Sequence, residues 1–384
     1  MRKSALLAFG LVVAIIVALG LVVLSSASGA LGLLKHHDPY YFMRRQFLFL
    51  GFGLVVATCA ALFDYHRWRD YPVLAWLFYG TVFLLLLAVF PPLGEKINGS
   101  YRWIDLKFFS LQPSELAKLS IVIMLAVWLD KAGWRVELFR CGALWPMLLI
   151  AGFALPVVFE TDFGSAMVIG MAGCLVMLVA GVRILHMSPF VLIGVAGFIV
   201  KVCLNKNRMA RMAAWLGFKL NVGAEVVDVA AKNAEHQGRM ALVAIARGGL
   251  GGVGLNQSMQ KQYYLPEAHT DMIFAIGAEE LGLAFSIGTF VLFIIFFALT
   301  VYIANRASDR FGRFLVVGMS FIIFFAAMFN IGVVCEALPM KGMALPFFSY
   351  GGTNLLSAFF AVGTILSVGL HSYRDNRKRK VPRG

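Results

Sequence analysis

Ionisable side chains crowd one stretch of this sequence, where a polar segment meets an apolar one. Glu267, His269 and Asp271 are followed, within fourteen residues of Glu267, by the adjacent pair Glu279–Glu280. A carboxylate such as Asp271 can take a proton from a sugar hydroxyl or ligate a hard divalent cation through oxygen. It can also cap the helix that follows by accepting from backbone N–H groups. The residues alone favour the cap, and both chemical roles stay open.

A second polar group precedes another predicted helix. Pro113 suits a first helical turn, which places Glu115 and Lys118 on one helix face. Charges at the start of a membrane span are costly unless they are paired. We therefore expect an ion pair that joins helices, a polar floor for a headgroup or an ion, or both. Arg102, beside Trp103, is either a phosphate contact or an ordinary anchor at the membrane surface.

Two further segments interrupt the apolar pattern with polar residues. Glu160 and Asp162 lie at a turn with almost no loop, which indicates a cation site or a partner for Lys118. A plain helix cap is the alternative there, and the residues alone favour it. Lys341 lies in segment 338–353, which two prolines and three glycines break. It is a candidate contact for pyrophosphate or a carboxylate, and a re-entrant structural loop is the alternative.

The composition indicates which elements must position these side chains. The 384 residues are 60% hydrophobic and 14% charged. Apolar runs of roughly 20 residues recur along the chain, the length of a helix that crosses about 30 Å of hydrocarbon. The ten-residue alternation of a membrane barrel is missing, so we expect an all-α, polytopic membrane protein with one integral domain. The formal charge of +14 suits membrane topology, and no basic patch carries a nucleic-acid-binding motif.

Ten apolar runs predict ten membrane-spanning helices. Their approximate bounds are 4–24, 47–63, 71–90, 113–129, 142–159, 163–182, 188–204, 280–304, 313–334 and 353–371. Lys and Arg concentrate in alternate connections, so the positive-inside rule predicts two cytoplasmic termini and a basic cytoplasmic tail at 372–384. The long segment 205–271 then lies on the outer face.

Two patterns stand out within segment 205–271. Residues 238–247 form a short amphipathic pattern that suits a helix along the outer membrane surface. The glycine-rich residues 248–254 predict a flexible turn, because no GK[ST] ending or strand–helix unit accompanies them. The five cysteines show neither metal-ligand nor disulfide spacing.

Four motifs in combination resemble the SEDS family of shape, elongation, division and sporulation proteins. They are Tyr264-Leu-Pro-Glu-Ala-His-Thr-Asp271, Glu279-Glu-Leu-Gly282, Gln112-Pro-Ser-Glu115 with Lys118, and Leu345-Pro-Phe-Phe-Ser-Tyr-Gly-Gly352. The resemblance covers nearly the whole chain and implies a ten-helix membrane fold. It also implies a glycosyltransferase that polymerises lipid II into peptidoglycan on the outer face of the bacterial inner membrane. The implied partners are a class B penicillin-binding protein and other division membrane proteins.

The resemblance also implies roles for individual residues. The family's essential acid matches Asp271, and its polar cavity residues match Arg102, Glu115, Lys118 and Asp162. Asp271 is therefore the predicted catalytic base. The predicted substrate contacts are Arg102, Glu115, Lys118, Glu267, His269, Lys341 and Ser349. A Mg²⁺ or another divalent cation is predicted at Asp162 and Glu115, and no organic cofactor is expected.

Several positions bear on the branch of the family. Lys341-Gly342 and Pro266-Glu-Ala-His269 favour the division branch, whereas Ala278 resembles the elongation branch. Glu160 stands where Gln is usual and adds an acid beside Asp162. We expect the division branch and a location at the septum.

The predicted reaction joins two lipid-borne sugars. Asp271 takes the proton of the acceptor 4-hydroxyl as that oxygen attacks the donor's anomeric carbon. Aspartate has an ordinary pKa near 3.9, so burial that raises this pKa would make a better base. Arg102, Lys118 and Lys341 are candidates to offset the leaving pyrophosphate. A lipid II flippase, which paired intramembrane charges also suit, and a scaffold without catalytic activity are the alternatives.

Overall fold

The computed structural model describes most of the chain. It covers residues 3–89, 95–97, 100–105, 110–160, 162–204, 209, 212, 215, 225–262, 265–339 and 341–380. Tyr264 of the motif above, most of segment 205–224 and the last four residues of the basic tail lie outside this description.

Helices form almost all of the described fold. The first six are α1 (Lys3–His36), α2 (Tyr41–Leu62), α3 (His66–Asp70), α4 (Pro72–Ala88), α5 (Pro113–Ala132) and α6 (Trp145–Phe159). The next six are α7 (Phe163–Ala180), α8 (Ile184–Cys203), α9 (Glu225–Gly248), α10 (Ile273–Asn305), α11 (Arg310–Val334) and α12 (Gly352–Lys380). A 3₁₀ turn and a π turn connect α5 to α6, at Gly133–Glu137 and Phe139–Leu144.

Each predicted span coincides with one of these helices, so the polytopic all-α fold is confirmed. Eight helices of the described chain are long and apolar enough to cross a membrane. The predicted spans at 71–90 and 113–129 lie outside that eight. The first corresponds to α4, which has only 17 residues. The second corresponds to α5, which carries Glu115 in its first turn and Lys131 in its last.

The predicted outer loop at 91–112 contains a small antiparallel sheet. Its strands are β1 (Glu95–Ile97), β2 (Ser100–Asp105) and β3 (Ser110–Leu111), in the order β1-β2-β3. Glu95 pairs with Trp103, and Ile104 pairs with Leu111. The sheet brings the chain directly to Pro113, where α5 begins.

The glycine-rich residues 248–254 pack tightly, contrary to the predicted flexible turn. The reason lies in α10, which breaks at Gly282 with φ 72° and ψ −160°, a conformation that suits glycine. The break leaves carbonyls to be satisfied: Val253 N–H donates to Glu279 O, and Gly254 N–H donates to Glu280 O, both at 3.0 Å. These bonds replace helical ones, so the glycines form part of the membrane domain. The helix before them, α9, is also longer than the pattern at 238–247 predicts.

The polar residues of the sequence motifs converge because α5 lies at the centre of the fold. Most α5 residues are buried, among them Glu115 and Lys118. Helices α2 and α12 run side by side, and α10 packs along α11 and α1. Small residues permit the close approach of α2 and α12, because a Cβ at Gly363 would meet the backbone of Ala57.

Candidate functional site

Asp271 lies on the loop directly before α10. The N-cap residue of α10 is Met272, and no side chain caps the helix. The helix cap that the residues alone favour for Asp271 is therefore wrong. Its carboxylate is not consumed by helix capping, as a catalytic base requires.

Two loops meet at Asp271 and are joined by hydrogen bonds. Asn330 Nδ2 donates to the backbone carbonyls of Asp271 at 2.7 Å and Met343 at 2.6 Å. Ser349 Oγ donates to Thr270 O at 2.7 Å, and Tyr350 N–H donates to His269 O at 3.0 Å. Residues 269–271 are thus held against residues 343–350. Ser349 is 2% exposed, so this geometry gives it a supporting role, and a substrate contact stays a prediction.

Gly342 faces the carboxylate of Asp271 without a side chain between them. A Cβ at position 342 would collide with Asp271 Oδ2. The neighbouring Lys341 places its Nζ 3.8 Å from Asp162 Oδ1. The loop at 341–343 therefore brings a cation and a second carboxylate to Asp271.

The surroundings of Asp271 alter its acidity. Burial raises the pKa of Asp271 to about 7. The carboxylates of Glu267 and Asp162 add to this rise, and Arg102 partly offsets it. A general base is most effective when its pKa lies near the working pH, so Asp271 suits proton transfer near neutrality.

Asp162 combines the predicted cap with an ion pair. It is the N-cap residue of α7, and its Oδ1 accepts from Ser165 N–H at 3.3 Å. Burial raises the pKa of Asp162, but Lys341, Arg102, the Ser165 hydrogen bond and Lys118 together outweigh that effect and leave the pKa below its ordinary value. Its direct cationic partner is Lys341, where the sequence suggests Lys118.

Glu115 and Lys118 form the predicted ion pair. Lys118 Nζ lies 2.7 Å from Glu115 Oε1, and both residues are buried. Ser357 Oγ, on α12, donates to the other carboxylate oxygen at 3.1 Å. The pair therefore links α5 to α12, and its contact with substrate stays a prediction.

Glu160 is a buried acid whose oxygens have no hydrogen-bond partner among the described residues. Arg102 Nε instead donates to the backbone carbonyl of Glu160, at 3.4 Å. Burial raises the pKa of Glu160 to about 8, with a further contribution from the negative charge of Asp162. Glu160 is thus mostly protonated at neutral pH.

Glu267 and His269 lie on the same loop as Asp271. The Glu267 carboxylate is exposed and accepts from Thr270 Oγ1 at 2.8 Å. His269 packs 5.0 Å from the ring of Phe42 and 6.0 Å from that of Tyr350. Burial lowers the pKa of His269, so its imidazole is neutral near pH 7.

The predicted cation site does not fit these residues. Within the described ranges, no group of three or more His, Cys, Asp or Glu is placed to hold a metal ion. Glu115 is engaged by Lys118 and Ser357, and Lys341 faces Asp162. Cationic side chains beside these carboxylates oppose a metal ion there, and a cation requirement stays a prediction.

Glu279 and Glu280 are fully buried, and they bind residues of the loop that leads to Asp271. Glu279 accepts from the Ser258 hydroxyl and from Met259 N–H at 3.2 Å, while Arg247 lies 3.3 Å away. Glu280 pairs with Lys261 Nζ at 2.9 Å. Lys261 also reaches Ser26 of α1 at 2.8 Å. The sequence indicates that such acids need partners, but Lys261 carries no motif that would identify it.

A second polar cluster lies at the other end of α10. Asp309 caps α11 through Gly312 N–H at 2.9 Å and accepts from Tyr65 at 3.0 Å and Arg69 at 3.0 Å. His66 lies 3.4 Å from the same carboxylate. This cluster and Asp271 therefore lie at opposite ends of the 33-residue α10.

Comparisons with known proteins identify relatives of this chain. A family model described as cell cycle protein matches residues 6–374. The chain is 36% identical over 353 residues to a probable peptidoglycan glycosyltransferase FtsW of Geobacter metallireducens, covering 91% of this chain and 90% of that protein. It is 35% identical to the stage V sporulation protein E of Bacillus subtilis, covering 93% and 95%. A solved chain from a peptidoglycan synthase complex superposes with a TM-score of 0.70 at 26% identity, covering 96% and 98%.

Proposed function

Because this chain belongs to the cell cycle protein family of FtsW, RodA and the stage V sporulation protein E, we propose that it is a peptidoglycan glycosyltransferase of the division branch. The observation that carries this proposal is the Asp271 carboxylate. It lies uncapped at the start of α10, against the Lys341–Gly342 loop, with a pKa raised by burial to about 7. The relatives named above include a probable peptidoglycan glycosyltransferase.

The reaction uses two lipid II headgroups. The 4-hydroxyl oxygen of the acceptor attacks the anomeric carbon of the donor, and its proton passes to Asp271. The bond between the anomeric carbon and the pyrophosphate oxygen breaks, and the pyrophosphate leaves with the electron pair. Asp271 then returns its proton to water. Holding both headgroups in this orientation lowers the barrier further, because it replaces an encounter in solution.

Positive charge compensates the leaving pyrophosphate. Arg102 lowers the pKa values of both Asp162 and Asp271, and Lys341 lowers that of Asp162, so both cations lie near the two carboxylates. Preorganised cations of this kind stabilise charge that develops in the transition state. Lys118 contributes less directly, since Glu115 holds its ammonium group at 2.7 Å.

The protein is a multi-pass membrane protein, and its orientation and partners belong to the proposal. Both termini lie in the cytoplasm, so Asp271 lies at the outer face of the inner membrane, where lipid II is presented. A class B penicillin-binding protein is the partner, in keeping with the likeness to a chain from a synthase complex that couples polymerisation to crosslinking. The septum, with the other division membrane proteins, is the proposed site of action.

Polymerisation of lipid II by the purified protein tests the function. The assay is run with and without the cognate transpeptidase, and we expect glycan strands from the wild type together with that partner. We expect none from Asp271→Asn, which keeps the shape and removes the base. The same assay with and without a chelator tests whether polymerisation requires a divalent cation. Wild-type rates from a folded Asp271→Asn protein would rule out Asp271 as the base.

A transport assay separates the enzyme from the alternatives. Liposomes that carry fluorescent lipid II are supplied with the protein, and polymer and transbilayer movement are measured together. Polymer without movement supports the glycosyltransferase. Movement without polymer supports a flippase. A scaffold is supported if neither polymer nor movement is seen and if cell division is lost only in variants of the protein surface.

A further inference from the structure

We propose that Asn330 is a positioning residue for glycosyl transfer, which sets the place of the Asp271 carboxylate by tying together the two loops that meet there. The proposal rests on the proposed function of Asp271. Asn330 lies in the last two turns of α11 and is 2% exposed. It touches Asp271 through the backbone, so it acts through that residue.

The geometry of the amide explains why this position holds asparagine. Nδ2 carries two hydrogens, and it reaches one carbonyl on each loop, Asp271 O at 2.7 Å and Met343 O at 2.6 Å. A hydroxyl has one hydrogen and could serve only one loop. An ammonium group would bring a charge into a buried position. The neutral NH₂ group therefore matches two backbone carbonyls, one on each loop, with its two donors.

The other side of the amide supports the same assignment. Asn330 Oδ1 is buried and accepts no hydrogen bond from the described residues. Buried polar atoms without partners are rare and costly. The orientation of the amide therefore depends on the two donated bonds alone.

The two hydrogen bonds from Asn330 to the carbonyls of Asp271 and Met343 are called the clamp below. The clamp matters because there is little free space around the Asp271 carboxylate. Gly342, next to Met343 in the chain, faces the Asp271 carboxylate so closely that a Cβ would collide with it. Movement of either loop therefore displaces the carboxylate or opens it to water. The first effect lowers the rate, and the second lowers the pKa of Asp271 from about 7, because burial is what raises that pKa.

Kinetics of lipid II polymerisation by Asn330→Leu test the clamp. Leucine has a similar shape and no polar atoms. We expect kcat to fall by on the order of 10²-fold, as displacements of about 1 Å in active sites do, while KM changes little. The acidic limb of the rate–pH profile should move to lower pH, which a merely structural role would not cause. Thr300→Val is the matched control, because among the described residues that buried hydroxyl donates to Phe297 O of its own helix alone, at 2.7 Å.

Further measurements keep the proposal decidable. If Asn330→Leu does not fold, Asn330→Ala replaces it, since alanine removes both donors and adds no charge near Asp271. If neither variant folds, hydrogen exchange of the wild type decides. The clamp predicts that the backbone amides of residues 271–275 and 342–348 exchange with one common opening rate. Independent opening rates would overturn the proposal. A folded variant with the kcat and pH profile of the wild type would also overturn it. A wild type that does not polymerise lipid II even with the cognate transpeptidase would refute the proposed function instead. The hydrogen-exchange result would then still show whether the two loops open together.

Discussion

Gly342 lies directly against the carboxylate of Asp271, with no room for a methyl group between them. The contact explains a glycine in a loop that otherwise carries side chains. We expect Gly342→Ala to push the carboxylate from its position and to lower the polymerisation rate by about 10²-fold, with little loss of stability. The measurement is kcat for lipid II together with the melting temperature in detergent.

The control for this variant is Gly288→Ala within α10. A Cβ at Gly288 meets nothing within 4 Å, and alanine favours a helix by up to about 1 kcal/mol over glycine. Gly288→Ala should therefore keep full activity. Equal activity in the two variants would mean that the Gly342 contact does not constrain the carboxylate.

The rate of polymerisation should rise with pH through about 7, the value to which burial raises the pKa of Asp271. The base must be ionised to accept a proton, so activity is low below this pKa and reaches a plateau above it. The pH profile of kcat/KM reports the free enzyme. A rate that stays constant down to pH 5 would mean that the essential base has an ordinary carboxylate pKa or is another group.

Glu160→Gln should stabilise the protein increasingly as the pH rises. The pKa of Glu160 is raised from 4.5 to about 8 in the folded protein. Unfolding therefore releases a proton between these values, and stability is lost as pH increases from about 4.5 to 8. Glutamine does not titrate, so its advantage should be small at pH 5 and on the order of a few kcal/mol at pH 8.

Melting temperatures at pH 5 and pH 8 measure this effect. Glu137→Gln serves as the control, because Glu137 is exposed and pairs with the exposed Arg183. It should show no such trend with pH. A Glu160→Gln protein whose advantage is the same at both pH values would show that Glu160 is ionised throughout.

Lys261→Met should be strongly destabilising. It leaves Glu280, which is 1% exposed, without its ammonium partner at 2.9 Å. Loss of one member of a buried ion pair costs about 3–5 kcal/mol. Replacing both charges, in Lys261→Met with Glu280→Gln, should recover part of that loss.

Chemical unfolding in detergent gives the free energies for this comparison. Arg183→Met is the control, because it breaks an exposed ion pair, and such pairs contribute about 0–1 kcal/mol. Equal losses in Lys261→Met and Arg183→Met would indicate that water reaches Glu280.

Much of this protein can be read from its sequence. The helical membrane fold follows from apolar runs, because hydrocarbon requires every spanning segment to satisfy its own backbone. Asp271 and the Glu115–Lys118 pair are also recognisable, since charges near apolar segments are rare without a use. The break in α10 at Gly282 escapes this reasoning, because its partners lie in the glycine-rich turn at 248–254.

Only the tertiary structure decided what holds Asp271 in place. Asn330 lies 59 residues from Asp271 in the chain, within an apolar helix, and Lys261 lies 19 residues from Glu280 in a polar segment without a motif. Neither residue stands out locally. Apolar length is a local property that the membrane selects directly, whereas a hydrogen bond between distant residues exists only once packing has brought donor and acceptor within about 3 Å.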